Sequence, residues 1–231
     1  MNQAEIKLGD QLIKFPIRDA ADQSVFEEIF TDRLYRRAEN LLTEADLIID
    51  VGAHVGFFSI YARHLNQSAK VIALEPNKDN FRALEYNFSI SKMENYTTHN
   101  AAIVPESHAT AKTKLYIAVD SHNHSTLPNE RQASEYVVAK KLSALISDDL
   151  AKKIFVKIDI EGAEKLLYPE WTHESLGRIS YIVLEYHNYG DKLSGKIENK
   201  LRECGFSCET FKSPFDARFG LIIARNKNVL V

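Results

Sequence analysis

The chain predicts an α/β fold: a mostly parallel seven-stranded sheet with helices on both faces, an antiparallel strand at its edge, and a small N-terminal hairpin-plus-helix cap. Three observations carry this expectation. From Leu47 onward, apolar runs of strand length alternate with segments of helical periodicity. The stretch "LIIDVGAHVGFFSIYA" opens as a buried strand and closes as an amphipathic helix, with two glycines in the turn between them. The last two runs, "FSCETF" and "FGLIIAR", follow one another with no helix between them and so pair antiparallel.

The elements follow in order. "EIKLGDQLIKFPI" alternates around Gly9-Asp10, a two-residue hairpin signal. "DQSVFEEIFTDRLYRRAENLL" sets Val25, Phe26, Ile29, Phe30, Leu34, Ala38, Leu41 and Leu42 at helical spacing, with Thr31-Asp32 a point where it can divide. Then come "LIIDV", a helix from Val55 to Leu65, "KVIALE", a helix from Asp79 to Ser91, and "YTTHNAAI" as third strand. Two β-like runs, "TKLYIAV" and "SEYVVAKKL", flank a polar loop before the alternation resumes with "KIFVKID", a helix from Gly162 to Trp171, "ISYIVLEYH" and a helix from Leu193 to Cys204.

With 231 residues and 45% hydrophobic content the chain can bury one core, so a single domain is expected: a cap over 1–45 and a core over 46–231, with an inserted loop over 105–135. Lys plus Arg is 29 against 32 for Asp plus Glu, and basic runs do not exceed pairs such as Arg36-Arg37. A nucleic-acid footprint is therefore not visible, and no nucleic-acid partner is expected. The charged start "MNQAEIKLGD" is unlike a secretory signal, and no apolar stretch approaches the ~20 residues of a span, so a cytoplasmic protein without a membrane partner is expected. Cys204 and Cys208, in "CGFSC", fit neither a redox pair nor a zinc knuckle and read as reduced structural residues.

The turn after "LIIDV" carries the chemistry. A dinucleotide turn is G-x-G-x-x-G, but from Gly52 the next two glycines are replaced by His54 and Phe57. What remains is Asp50-x-Gly52-x-x-x-Gly56, with an imidazole where a diphosphate would lie. S-adenosylmethionine has no phosphate and suits such a turn. Glu75, 25 residues after Asp50 at the end of the second strand, can accept hydrogen bonds from two ribose hydroxyls.

"IDVGAHVGFFSIYA", "VIALEPNKDNFRALEYNF", "NAAI", "HNHSTL", "FVKIDIEGAE" and "IVLEYH" occur in the order and spacing of the FkbM-type methyltransferases, which the chain resembles from about Val25 to Leu221. "KIDIEGAE", Lys157 to Glu164, is the most specific element; His54 departs from the family's usual asparagine. The resemblance implies a class I, Rossmann-like fold and S-adenosylmethionine as cofactor, bound by Asp50, Gly52, Ala53, His54, Gly56, Phe57, Glu75 and Pro76, with Asn100 and Ala101 near the adenine.

In an open α/β sheet the ligand lies across the carboxyl ends of the strands, and Asp159, Glu161, Glu185 and His187 all reach that rim. Asp159 and His187 are the candidate general bases, with Glu161 and Glu185 orienting the acceptor or a base. Asp159 also stands where it can cap the helix "IEGAEKLL". "SHNHST" reads as a metal-free acceptor loop; if an ion were used, His122, His124, Asp159 and Glu161 would be its ligands. Because the fourth strand ends in "DIEG" and not in an Asp/Asn-Pro-Pro-aromatic turn, the expected reaction is methyl transfer to a hydroxyl of a sugar or secondary metabolite. The alternatives are a nicotinamide-dependent oxidoreductase, which would need the missing glycines, and a non-catalytic binding module, which would need no carboxylates at 159 to 164.

Overall fold

The computed structural model describes residues 2–118, 124–129, 133–146, 150–188, 192–214 and 216–229. The N-terminal hairpin pairs β1 (Asn2–Leu8) with β2 (Gln11–Ile17) around Gly9, which takes the positive φ such a turn needs. Helix α1 (Ala20–Phe26) is capped by Asp19, whose side chain accepts the Asp22 N–H. It runs into a π turn at Glu27–Thr31 and stops at Arg33, which is left-handed. The expected long helix thus divides just after Thr31-Asp32; a 3-10 turn at Leu34–Ala38 and α2 (Glu39–Glu44) complete the cap.

The main sheet contains β3 (Leu47–Val51), β4 (Lys70–Leu74), β5 (Tyr96–His99), β9 (Ile154–Ile158), β10 (Tyr181–His187), β11 (Phe206–Lys212) and β12 (Phe219–Asn226), in the order β11-β12-β10-β9-β3-β4-β5. The antiparallel strand is β12, one place in from the edge; β11 folds back on it and so lies parallel to the rest. Period-2 alternation assigns the faces. Ile48, Val71, Phe155 and Val183 pack against the hairpin, the cap, α3 (Phe57–Leu65) and α4 (Lys78–Ile90). Leu47, Ile49, Val156 and Ile182 pack against α5 (Leu142–Ile146), α6 (Glu164–Leu167), α7 (His173–Leu176) and α8 (Leu193–Glu203).

The expected third strand "YTTHNAAI" is two strands. β5 stays in the main sheet, whereas β6 (Ala101–Val104) leaves to join β7 (Lys112–Ile117) and β8 (Ala133–Lys141) in the order β6-β8-β7. Asn100 makes the break: its side-chain amide donates to the carbonyls of Glu75 and Pro76, both at 2.9 Å. Likewise the helix expected over Gly162 to Trp171 is the short α6 followed by a 3-10 turn at Tyr168–Glu170, where Pro169 cannot donate into a continuing helix. Strand order reverses between β3 and β9, which marks where a ligand crevice forms. Among the described residues no helix is long and apolar enough to cross a membrane.

Candidate active site at the carboxyl ends of the strands

A cavity of about 540 Å³ opens at this reversal, between the cap and the strand ends, within the roughly 300–1,000 Å³ usual for ligand sites. Its floor is made by two backbones in contact. The Asp159 N–H donates to the Val51 carbonyl, and a Cβ at Gly52, whose φ is +77°, would lie 1.8 Å from the Asp159 carbonyl oxygen. Only glycine lets the turn pass. The N–H groups of Gly52 and Ala53 both donate to the Leu74 carbonyl, which holds the turn against β4.

On one side, Gly52, Ala53, His54, Glu75, Pro76 and Ala101 line the cavity. Glu75 is buried, and its two oxygens accept the N–H groups of His54 and Asn77 at 2.9 Å. The Asn80 side chain bonds this carboxyl as well, so of its roughly four acceptor sites about one stays open. Burial pushes its carboxyl up to about 7, against the lowering effect of those two N–H groups. Asp50, Gly56, Phe57 and Asn100 stand behind the wall and do not line it. Asp50 has no exposure; it accepts from Ser59 Oγ at 2.7 Å, and its other oxygen lies 3.2 Å from Lys157 Nζ. It therefore ties α3 and β9 together beneath the turn.

The other side is acidic. Asp159, Glu161, Glu185 and His187 meet here, joined by Glu28 from the π turn. His187 Nε2 lies 3.4 Å from Glu161 Oε2, and its Nδ1 lies 3.4 Å from Oε1 of the fully buried Glu164. Burial opposes the imidazolium, but Glu164, Glu161 and Asp159 outweigh it and raise its pKa to about 10. That balance favours the protonated imidazole at this candidate base, whose two nitrogens face Glu161 and Glu164. Burial, then Asp159, raises the carboxyls of Glu161, Glu185 and Glu28, the last to about 7. Lys157 is buried, donates to the Gly52 carbonyl at 2.7 Å and lies 3.5 Å from Asp159; burial alone would lower its pKa, but Asp50 and Asp159 raise it.

Asp159 does not cap α6. That helix begins at Glu164, with Ala163 at its cap position and no side-chain bond there, and the Ile160 N–H donates instead to Glu164. Glu161 and Gly162 both have positive φ, a tight turn that brings the Glu161 carboxylate back to the rim. Of "SHNHST", residues 121–123, including His122, lie outside the described residues. His124 lines the cavity and accepts the Ala118 N–H, and Ser125 Oγ donates to the Ile160 carbonyl, so this loop packs on the "DIEG" turn.

Residues 50–208 match the Methyltransferase FkbM domain. The chain belongs to the FkbM methyltransferase family. It is 25% identical to methyltransferase sdnD of Sordaria araneosa, with 98% of each chain covered. It is also 25% identical to 31-O-demethyl-FK506 methyltransferase FkbM of Streptomyces tacrolimicus, over 84% of this chain and 85% of that one. Among solved structures, precorrin-6y C5,15-methyltransferase of Geobacter metallireducens superposes with a TM-score of 0.51 at 16% identity, covering 87% of this chain and 92% of that one. An rRNA methylase of Streptococcus thermophilus gives 0.52 at 10% identity, covering 85% and 98%. These two likenesses speak for the fold alone.

This FkbM-family chain is a methyltransferase, and its cofactor is S-adenosylmethionine. The residues present fit that cofactor: Glu75 offers acceptors at the end of β4, and the Gly52 turn leaves room above a floor that a Cβ would fill. Sequence reasoning does not single out Lys157, Glu28 or Tyr35, which also line the cavity. Lys157 was within reach, because it opens the family's most specific motif. Glu28 and Tyr35 belong to the cap, where helical periodicity carries no sign of a site.

Proposed function

We propose that this protein transfers the methyl group of S-adenosylmethionine to a hydroxyl oxygen of a small metabolite, a sugar or another secondary metabolite. One observation carries the reading: among the described residues, the acceptor end is walled by Glu28, Asp159, Glu161 and Glu185, and its one lysine, Lys157, is engaged by the Gly52 carbonyl, Asp50 and Asp159. Such a wall offers carboxyl oxygens to a hydroxyl group and lacks the Lys/Arg cluster that binds the phosphates of a nucleic acid. The formal charge of -3 points the same way.

Glu75 would hold the ribose, and the Gly52-Ala53 turn, which lines the same cavity, would support the cofactor. When bound, S-adenosylmethionine supplies an electrophilic methyl on sulfur. The chain's task is to place an acceptor oxygen in line with that methyl, which is worth far more than any covalent help, and to receive the proton that leaves it. Asp159 and Glu185 are carboxylates facing the cavity and take that proton. His187, held between Glu161 and Glu164, orients the cluster. The Streptomyces relative is named for a 31-O-demethyl compound, and transfer to oxygen fits that name.

The test is transfer of labelled methyl into fractionated cell extract. Radiolabel is expected in the low-mass fraction, in a methyl ether stable to mild acid and base. Label confined to RNA or protein overturns the reading.

A further inference from the structure

We propose that Asp159, Glu161 and His187 bind a divalent cation of the manganese or magnesium class at the acceptor end of the cavity. The inference deepens the methyl-transfer reading and rests on it for the ion's purpose, though not for its place. It departs from the metal-free site expected from sequence: Asp159 and Glu161 belong to the ligand set named there, His187 does not, and His122 lies outside the described residues.

Three ligand atoms, one from each side chain, lie within 4.8 Å of one another. Around one ion with metal-ligand distances of about 2.1 Å, neighbouring donors are about 3.0 Å apart and opposite donors about 4.2 Å, so a small contraction brings all three into one shell. The set of two carboxylates and one imidazole is hard enough for manganese or magnesium and leaves up to three octahedral positions open.

Two further observations point to an ion. Asp159 Oδ1 is closed to solvent and has no hydrogen-bond donor, while its other oxygen faces Lys157 at 3.5 Å. Lys157 is turned to the Gly52 carbonyl, at 2.7 Å, and to Asp50, and does not satisfy Oδ1. A buried acceptor with no donor is costly, and a cation is what it lacks. Behind the imidazole stands Glu164, with no exposure, its Oε1 3.4 Å from His187 Nδ1 and its Oε2 also without a donor. A carboxylate on the far nitrogen is how metal-binding histidines are oriented, and it leaves Nε2 facing Glu161.

The ion would acidify a coordinated acceptor hydroxyl. The proton passes to Glu185, the oxygen bonds to the methyl carbon as the carbon-sulfur bond breaks, and that electron pair turns the sulfonium into a neutral thioether.

The experiment is Mn2+ titration of the metal-stripped full chain, read by loss of the free-ion electron paramagnetic resonance signal, with no cofactor or acceptor present. One Mn2+ per chain is expected, displaced by excess Mg2+. Glu164→Gln should weaken binding roughly 10- to 100-fold, the usual loss for a residue that orients a ligand. Asp159→Asn and Glu161→Gln should weaken it further, with Glu161→Gln keeping its melting temperature and its affinity for S-adenosylhomocysteine. No uptake by the native chain at millimolar Mn2+, or equal uptake by the Asp159 and Glu161 variants, overturns the site. Label found in RNA or protein in the fractionation assay would instead overturn the acceptor reading and leave the cation assignment standing.

Discussion

At the scale of single residues, Glu75 shows what burial does to the carboxylate proposed to hold the cofactor's ribose. Its folded pKa, about 7, lies above the ordinary carboxylate value because burial disfavours the anion. The stability linked to this group is therefore full below the unfolded pKa and lost as pH rises through 7. Cofactor binding runs the opposite way, since ribose hydroxyls donate best to the ionised form. Affinity for S-adenosylhomocysteine, measured by calorimetry, should rise between pH 6 and pH 8, with Arg18 and Lys157 as nearby cations that stay charged throughout. In Glu75→Gln that rise should vanish. Glu75→Ala should cost about 1.5–3 kcal/mol of affinity, as for a charge-assisted hydrogen bond, and unchanged affinity would remove Glu75 from the site. This residue was legible in the sequence because its spacing from Asp50 is local to one strand-helix-strand unit. Lys157 opens the "KIDIEGAE" motif, but its place opposite Asp50 was not legible, because it comes from the register of β3 on β9, which pairs residue 50 with residue 157.

At the scale of elements, the cap is more than a lid on the core. Asp22, buried in α1, accepts from the backbone and guanidinium of Arg18 and lies 3.6 Å from His54 Nε2, while Arg18 also donates to Asn80 of α4. The cap is thereby tied to the glycine turn and to the helix after β4. Asp22→Ala removes charge-assisted bonds worth about 1.5–3 kcal/mol each and should lower the Tm by several degrees, at about 2–4 °C per kcal/mol for a chain of this size. Amides of residues 20–31 should exchange faster, and cofactor affinity should fall as the π turn loosens. An unaltered exchange pattern over 20–31 would show that the cap is held by its apolar contacts alone. His54 has a φ of +50°, a left-handed position that histidine tolerates better than most residues. The hairpin and the helical cap could be read from periodicity. The π turn and the break at Asn100 could not, since both depend on what the chain packs against.

At the scale of the whole molecule, the site exists because strand order reverses beside β3, bringing the glycine turn and the "DIEG" turn into backbone contact. Sequence patterning foresaw that both would reach one rim, from strand ends and the general rule for open sheets. It could not foresee how close they come. Gly52 is the point of contact, and a single methyl group there tests whether the cofactor half and the acidic half form one unit. In Gly52→Ala the new Cβ would meet the Asp159 carbonyl at 1.8 Å and the side chain would be forced into a positive φ, so the two strand ends must move apart. Because the obstacle is backbone on both sides, no rotamer relieves it. The variant should lose affinity for S-adenosylhomocysteine and for Mn2+ together, along with several degrees of Tm. Gly56→Ala is the comparison: there the Cβ would meet the Phe88 ring at 2.6 Å, a contact on the α4 side and away from Asp159. It should destabilise the fold while leaving Mn2+ uptake intact in the protein that stays folded. If Gly52→Ala lost cofactor affinity but bound Mn2+ as the native chain does, the two halves of the cavity would be independent, and the contact between β3 and β9 would not be what joins them.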